Sequence, residues 1–112
     1  MPDSDTPVLD TLAAMTAASL DNSGLPDREL MLTRLAALVA VDAQPGSYVM
    51  NAGAAMESGV TLPDVQGLLV AVAPVVGTAR VLSASVNIAK GIGYAVALVE
   101  AELEAEADAR ES

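Results

Sequence analysis

The stretch Gln44-Pro45-Gly46-Ser47-Tyr48-Val49-Met50-Asn51 holds a hydroxyl, a phenol and two amides in a chain that has no cysteine and no histidine. Without those two residue types there is no thiolate nucleophile, no imidazole to relay protons near neutral pH, and no Cys- or His-based metal site. Ser47, Asn51 and Ser58 recur at i, i+4 and i+11, one face of a helix, where they form a polar wall able to orient a ligand beside the Tyr48 phenol. The same residues also suit a solvated face, and Ser47 suits a helix start.

Arg80, Ser83, Asn87 and Lys90 form a second stripe, at i, i+3, i+7 and i+10. No acidic residue lies between Val65 and Val99, so this part of a very acidic chain is locally cationic and offers a carboxylate ligand a guanidinium and an ammonium. The plainer account is a solvated face, or a contact to some of the many acids. Arg34 lies inside the most apolar helical segment, where an unpaired charge is costly. Its helical neighbours Leu30, Met31, Ala37 and Leu38 cannot pair with it, so Asp42, Glu57 or a carbonyl cluster is the expected partner, or else Arg34 anchors a substrate carboxylate. Glu57 or Asp42 serves as a general base only where an apolar setting raises its pKa. Gly91-x-Gly93 follows a helix where a dinucleotide fingerprint needs a strand, and is taken as a helix stop. No metal or cofactor is expected.

The elements that position these groups are helical throughout. Thr6-Pro7 starts a first helix ending near Asn22 to Gly24, and Leu25-Pro26 leads into a second from about Asp27 to Asp42, apolar nearly all round. Pro45 opens a third that Gly59 closes. Thr61-Leu62-Pro63-Asp64 caps a fourth, whose Gly67 and Ala71 make a small-residue seam and whose Pro74 must break or kink it. A fifth runs from Gly77 to about Lys90. A sixth starts near Tyr94, with Val96, Val99 and Leu103 as its packing edge. Like-charge pairs Glu100/Glu104 and Glu102/Glu106 weaken its end, so residues 104–112 are expected to fray as an acidic tail.

The 112 residues fit one all-helical domain, 1–112. Apolar residues make up 53% of them, yet the chain has no Phe or Trp and only two Tyr. A core of small aliphatic side chains covers such a surface most readily against copies of itself. A net charge of −10 is the wrong sign for nucleic acid or anionic lipid. The longest apolar run, Leu68 to Gly77, is too short to cross a bilayer. Residues 1–6 lead into no apolar signal region, which points to the cytoplasm.

Leu35-Ala36-Ala37-Leu38-Val39, Pro45-Gly46-Ser47-Tyr48, Ala54 through Thr61 (AAMESGVT) and Val72 through Val81 (VAPVVGTARV) together resemble the carboxymuconolactone decarboxylase family of the alkylhydroperoxidase D-like superfamily, over roughly residues 25 to 98. The resemblance implies an all-α helical-hairpin fold of about six helices, assembled as homotrimers or hexamers, with active sites at or near subunit contacts. The family's peroxidase branch carries a glutamate, a Cys-x-x-Cys and a histidine, and the matching positions here are Leu32, Gln44, Ser47 and Asn51. The decarboxylase branch has a histidine where Asn51 stands. The expected function is therefore a cofactor-free lyase or isomerase acting on a small organic carboxylate, not a thiol peroxidase. Tyr48, Ser47, Asn51 and Glu57 would supply the catalytic groups, and Arg34, Arg80, Asn87 and Lys90 the binding groups. The alternative is a non-catalytic oligomeric binding or scaffold protein that has lost the family's reactive residues.

Overall fold

Local chemistry at the turns sets the helix boundaries. A computed structural model describes residues 4–111, and the side chains of these other than residues 94–96, 98, 99 and 111. Five helices follow in order, with no strand among the described residues: α1 (Pro7–Asn22), α2 (Asp27–Ala40), α3 (Pro45–Glu57), α4 (Leu62–Val76) and α5 (Thr78–Glu111). Proline occupies the first turn of α1, α3 and α4, where its missing N–H costs nothing.

The turn from α3 to α4 is specified almost atom by atom. Gly59 takes φ 82°, its N–H donates to the Met56 carbonyl at 3.1 Å and that of Val60 to Ala55 at 3.0 Å, the two bonds that close a helix in a Schellman motif. Val60 and Ala55 are both buried, which supplies the apolar contact that accompanies the motif. Two residues on, the Thr61 side chain accepts from the Asp64 N–H at 3.3 Å while the Asp64 carboxylate accepts from the Thr61 N–H at 2.9 Å, a complete capping box. Arg28 of α2 donates to the same carboxylate at 2.6 Å and ties the start of α4 to α2.

The turn from α2 to α3 uses the same closure without glycine. Asp42 adopts φ 55°, which aspartate tolerates better than most residues, with Asp42 N–H donating to Val39 and Ala43 N–H to Leu38. Two α5 side chains hold this turn. Ser83 Oγ donates to Asp42 Oδ1 at 2.6 Å, and Asn87 Nδ2 donates to the Ala43 carbonyl at 3.2 Å.

Leu30, Met31, Leu35, Tyr48, Ala55 and Val60 form the core, with Val65, Leu68 and Ile88 packed against it from α4 and α5. The tightest contact is between α3 and α5. Gly91 is buried there, and a Cβ at that position would lie 3.0 Å from Tyr48 Cβ and 3.1 Å from the Pro45 carbonyl oxygen. The glycine is required by close helix approach, not by a turn. This corrects the expected stop at Gly91-x-Gly93: residues 78–111 form one continuous helix in place of the expected fifth and sixth. Of that expected sixth helix's packing edge, Leu103 is exposed, and the Val96 and Val99 side chains lie outside the described residues. Pro74 does not end α4 either, which continues to Val76 and stops at Gly77.

Much apolar surface stays open. Among the described residues α1 packs against none of the other helices, and Val8, Leu9, Leu12, Met15 and Leu20 on it are all exposed. Gly67 and Ala71, the expected seam of α4, line an open groove with Leu32 and Ala36 of α2. The accessible surface is 7780 Å², against roughly 5,700 Å² for a compact monomer of this mass. The radius of gyration is 16.6 Å, against about 13 Å for a compact chain of this length.

Two measurements check this account. In chemical denaturation, Gly91→Ala should destabilise by about 1–3 kcal/mol, because the rigid Tyr48 Cβ and a backbone oxygen must yield. Gly53→Ala in α3, where an added Cβ meets nothing within 4 Å, should stabilise by about 0.5–1 kcal/mol. The Asp64 carboxyl is held below its ordinary value of 3.8, chiefly by the Thr61 N–H and hydroxyl and then by Arg28. A lowered folded pKa gives stability that is complete above the ordinary value and lost as pH falls through the lower one. Acid unfolding below about pH 4 should therefore be steeper in the wild type than in Asp64→Asn, followed by circular dichroism.

Candidate functional site

Between α3, α4 and α5 the small side chains leave a cavity of about 160 Å³. Leu35, Tyr48 and Ala55 line its buried part, with Val65, Leu68 and Ile88 around them. Met56, Leu62 and Ile92 also line it and are exposed, so they form an apolar rim at the surface. Tyr48 and Thr61 are the lining residues that carry a polar side-chain atom, and no lining residue is charged. The cavity exists because α3 places Ala52 and Ala55 where longer side chains would fill the space.

Tyr48 is 4% exposed, and its hydroxyl is buried with no hydrogen-bond partner among the described residues. Burial raises its pKa, and the negative charge of Asp42 raises it further. The phenol therefore keeps its proton at neutral pH and acts as a donor, not a base.

The other expected site residues are spread out. Asn51 Nδ2 donates to the main-chain carbonyl of Ser47 at 2.8 Å, one turn back on α3, and both residues are half-buried. Ser58 likewise bonds back to the Ala54 carbonyl. Glu57 is exposed at the end of α3. Arg34 is half-buried and donates to Ser19 Oγ of α1 at 3.0 Å, a hydroxyl in place of the expected carboxylate or carbonyl cluster. On α5, Arg80 and Lys90 are exposed, whereas Asn87 is committed to the α2–α3 turn and to Ser83 Oγ. None of these lines the cavity; of the eight, only Tyr48 does. Among the described residues no three His, Cys, Asp or Glu side chains converge as metal ligands.

The sequence pointed to Tyr48 but not to the cavity. Its apolar lining reads as ordinary core, and the available signal was the alternation of Ala52 and Ala55 with Tyr48 and Met56 on one helix.

The described residues form an all-α bundle with an apolar cavity behind its third helix, an arrangement consistent with the alkylhydroperoxidase D-like helical fold. A family model for the carboxymuconolactone decarboxylase family matches residues 6–91, and the chain belongs to that family. The match begins at residue 6 and so takes in α1, which the resemblance from about residue 25 left out. No curated protein and no solved structure matches the chain. No helix among the described residues is long and apolar enough to cross a membrane.

Removing the Tyr48 hydroxyl tests its state directly. Tyr48→Phe should leave thermal stability unchanged or raise it by up to about 2 kcal/mol, since the lost group makes no bond. A raised phenol pKa gives stability present below pH 10 that is lost at higher pH, where the unfolded chain ionises first. Ultraviolet titration should find a tyrosine that ionises above pH 10 in the folded wild type and is missing in the variant.

Proposed function

We propose that this chain is a cytoplasmic, homo-oligomeric binding protein of the carboxymuconolactone decarboxylase family that holds a small, largely hydrocarbon molecule in the Tyr48 cavity. The observation that carries this reading is the cavity lining, which is apolar, uncharged and open to the surface at an apolar rim. An apolar cavity of about 150 Å³ is large enough for a benzene-sized guest. A carboxylate inside it would lose hydration without gaining a cation, because Arg34, Arg80 and Lys90 are not part of the lining. Self-association as trimers or hexamers is supported by the surplus of roughly 2,000 Å² of surface over a compact monomer, more than the ~800 Å² per partner that a standard interface covers.

The second reading is a cofactor-free lyase or isomerase acting on a small carboxylate. Tyr48, Ser47, Asn51 and Glu57 would orient the reacting group and Arg34, Arg80, Asn87 and Lys90 would anchor the anion. The half-buried Ser47 and Asn51 beside Tyr48 on α3 favour it. In that reading Tyr48 donates a hydrogen bond to developing negative charge.

Toluene and benzoate, the same ring without and with a carboxylate, separate the two. Thermal shift and ligand-observed NMR should show saturable stabilisation by toluene that disappears in Ala52→Leu, with benzoate binding no tighter and unaffected by Arg34→Ala or Arg80→Ala. Tighter binding of benzoate that is lost in either arginine variant would overturn the binding-protein reading in favour of the enzyme.

A further inference from the structure

The outward face of α5 carries a seam that nothing in its own chain covers. Leu82, Val86, Ala89, Gly93, Leu103 and Ala107 are exposed and fall on one alternating 3-4 spacing that runs on through positions 96 and 100. That spacing is the a/d pattern by which two helices pack along their length, and the small residues at its centre allow close approach. A helix of 34 residues is about 51 Å long, and its last part, Glu100 to Arg110, is exposed on every side. Such a segment with like charges four apart is marginal by itself.

The charges along α5 are segregated. Its first half has Arg80 and Lys90 and no acid, and its end has Glu100, Glu102, Glu104, Glu106, Asp108 and Glu111 against one Arg110, which pairs with Glu106 in the same helix. We infer that α5 pairs antiparallel with α5 of a second copy, through the Leu82–Ala107 seam, with the cationic half of each helix along the acidic half of the other. A parallel pair would set acids against acids. In the antiparallel register that matches a to d positions, Leu82 faces Ala107, Val86 faces Leu103 and Ala89 faces Glu100. The same register brings Lys90 level with Glu100 to within one residue, and Arg80 within a turn of Glu106. Apolar spacing and charge thus select one arrangement. This rests on the proposed self-association and adds a two-fold contact to it.

The absence of native cysteine makes cross-linking clean. A bismaleimide reagent spanning about 10 Å should link Ala97→Cys, whose copies would lie about 7.5 Å apart along the pair, into dimers. Ala79→Cys, whose copies would lie about 45 Å apart along the pair, should not. In sedimentation velocity, Arg80→Glu with Lys90→Glu should weaken association by roughly tenfold or more, and adding Glu100→Lys with Glu106→Lys should restore it. Cross-linking at both positions would mean a parallel pair. An oligomer with cross-linking at neither position and no response to charge reversal would refute the α5 contact and leave self-association standing. A monomer at micromolar concentration would remove both.

Discussion

The most extensive helix pairing in this protein, α5 against α3, brings Gly91 directly onto the start of α3, and the rest of its architecture depends on that contact. Because there is no Cβ at that point, Tyr48 and Pro45 can lie directly against α5. Ser83 and Asn87, two and one turns earlier on α5, then reach Asp42 and the Ala43 carbonyl. Those bonds secure a turn whose Asp42 sits in a left-handed conformation. Core closure, the α2–α3 turn and the burial of Tyr48 therefore share one cause. Moving α5 outward by a few tenths of an ångström would loosen all three.

Close approach also explains why a cavity survives in so small a fold. Native interiors pack to crystal density, and voids above the size of a water are few. Here the backbones of α3 and α5 meet first at Gly91, and the alanines of α3 cannot fill the space beyond. A phenylalanine or leucine at position 52 or 55 would close it. The chain has no Phe or Trp anywhere, so no large ring is available to fill the gap from another helix. The composition that makes the surface greasy is the same one that leaves the interior open.

Sequence reading succeeded where structure is fixed by neighbours along the chain. Pro45, Gly59 and the Thr61–Asp64 box were legible because the four orphan groups at each helix end must be satisfied locally. It failed where a distant helix decides. Gly91 has the look of a helix stop until α3 is known to lie on it, and its entropic cost is outweighed by the contact it allows. Pro74 cannot donate to the Val70 carbonyl, yet α4 runs two residues further, to Val76. Arg34 found a hydroxyl on α1, a helix with no other tie to the body of the chain among the described helix contacts. The Tyr48 cavity was invisible for a similar reason: its walls come from four helices, and no spacing within one of them reveals the void.

Family membership and site chemistry then point in different directions. In the segment that resembles the family's reactive one, the positions matching the first acid, the two cysteines and the histidine are Leu32, Gln44, Ser47 and Asn51. The structure adds that Asn51 donates its amide to the Ser47 main-chain carbonyl, so the Asn51 side chain is turned toward its own helix. A side chain that caps its own backbone is a poor candidate to meet a substrate, because binding would first have to break that bond. Tyr48 is in the opposite condition: buried, protonated and without a partner among the described residues. An unpaired buried hydroxyl costs stability that the fold would shed through a change to phenylalanine. The apolar wall around Tyr48 offers shape and its phenol offers one donor, and the binding role proposed for them needs none of the chemistry that positions 32, 44, 47 and 51 no longer carry.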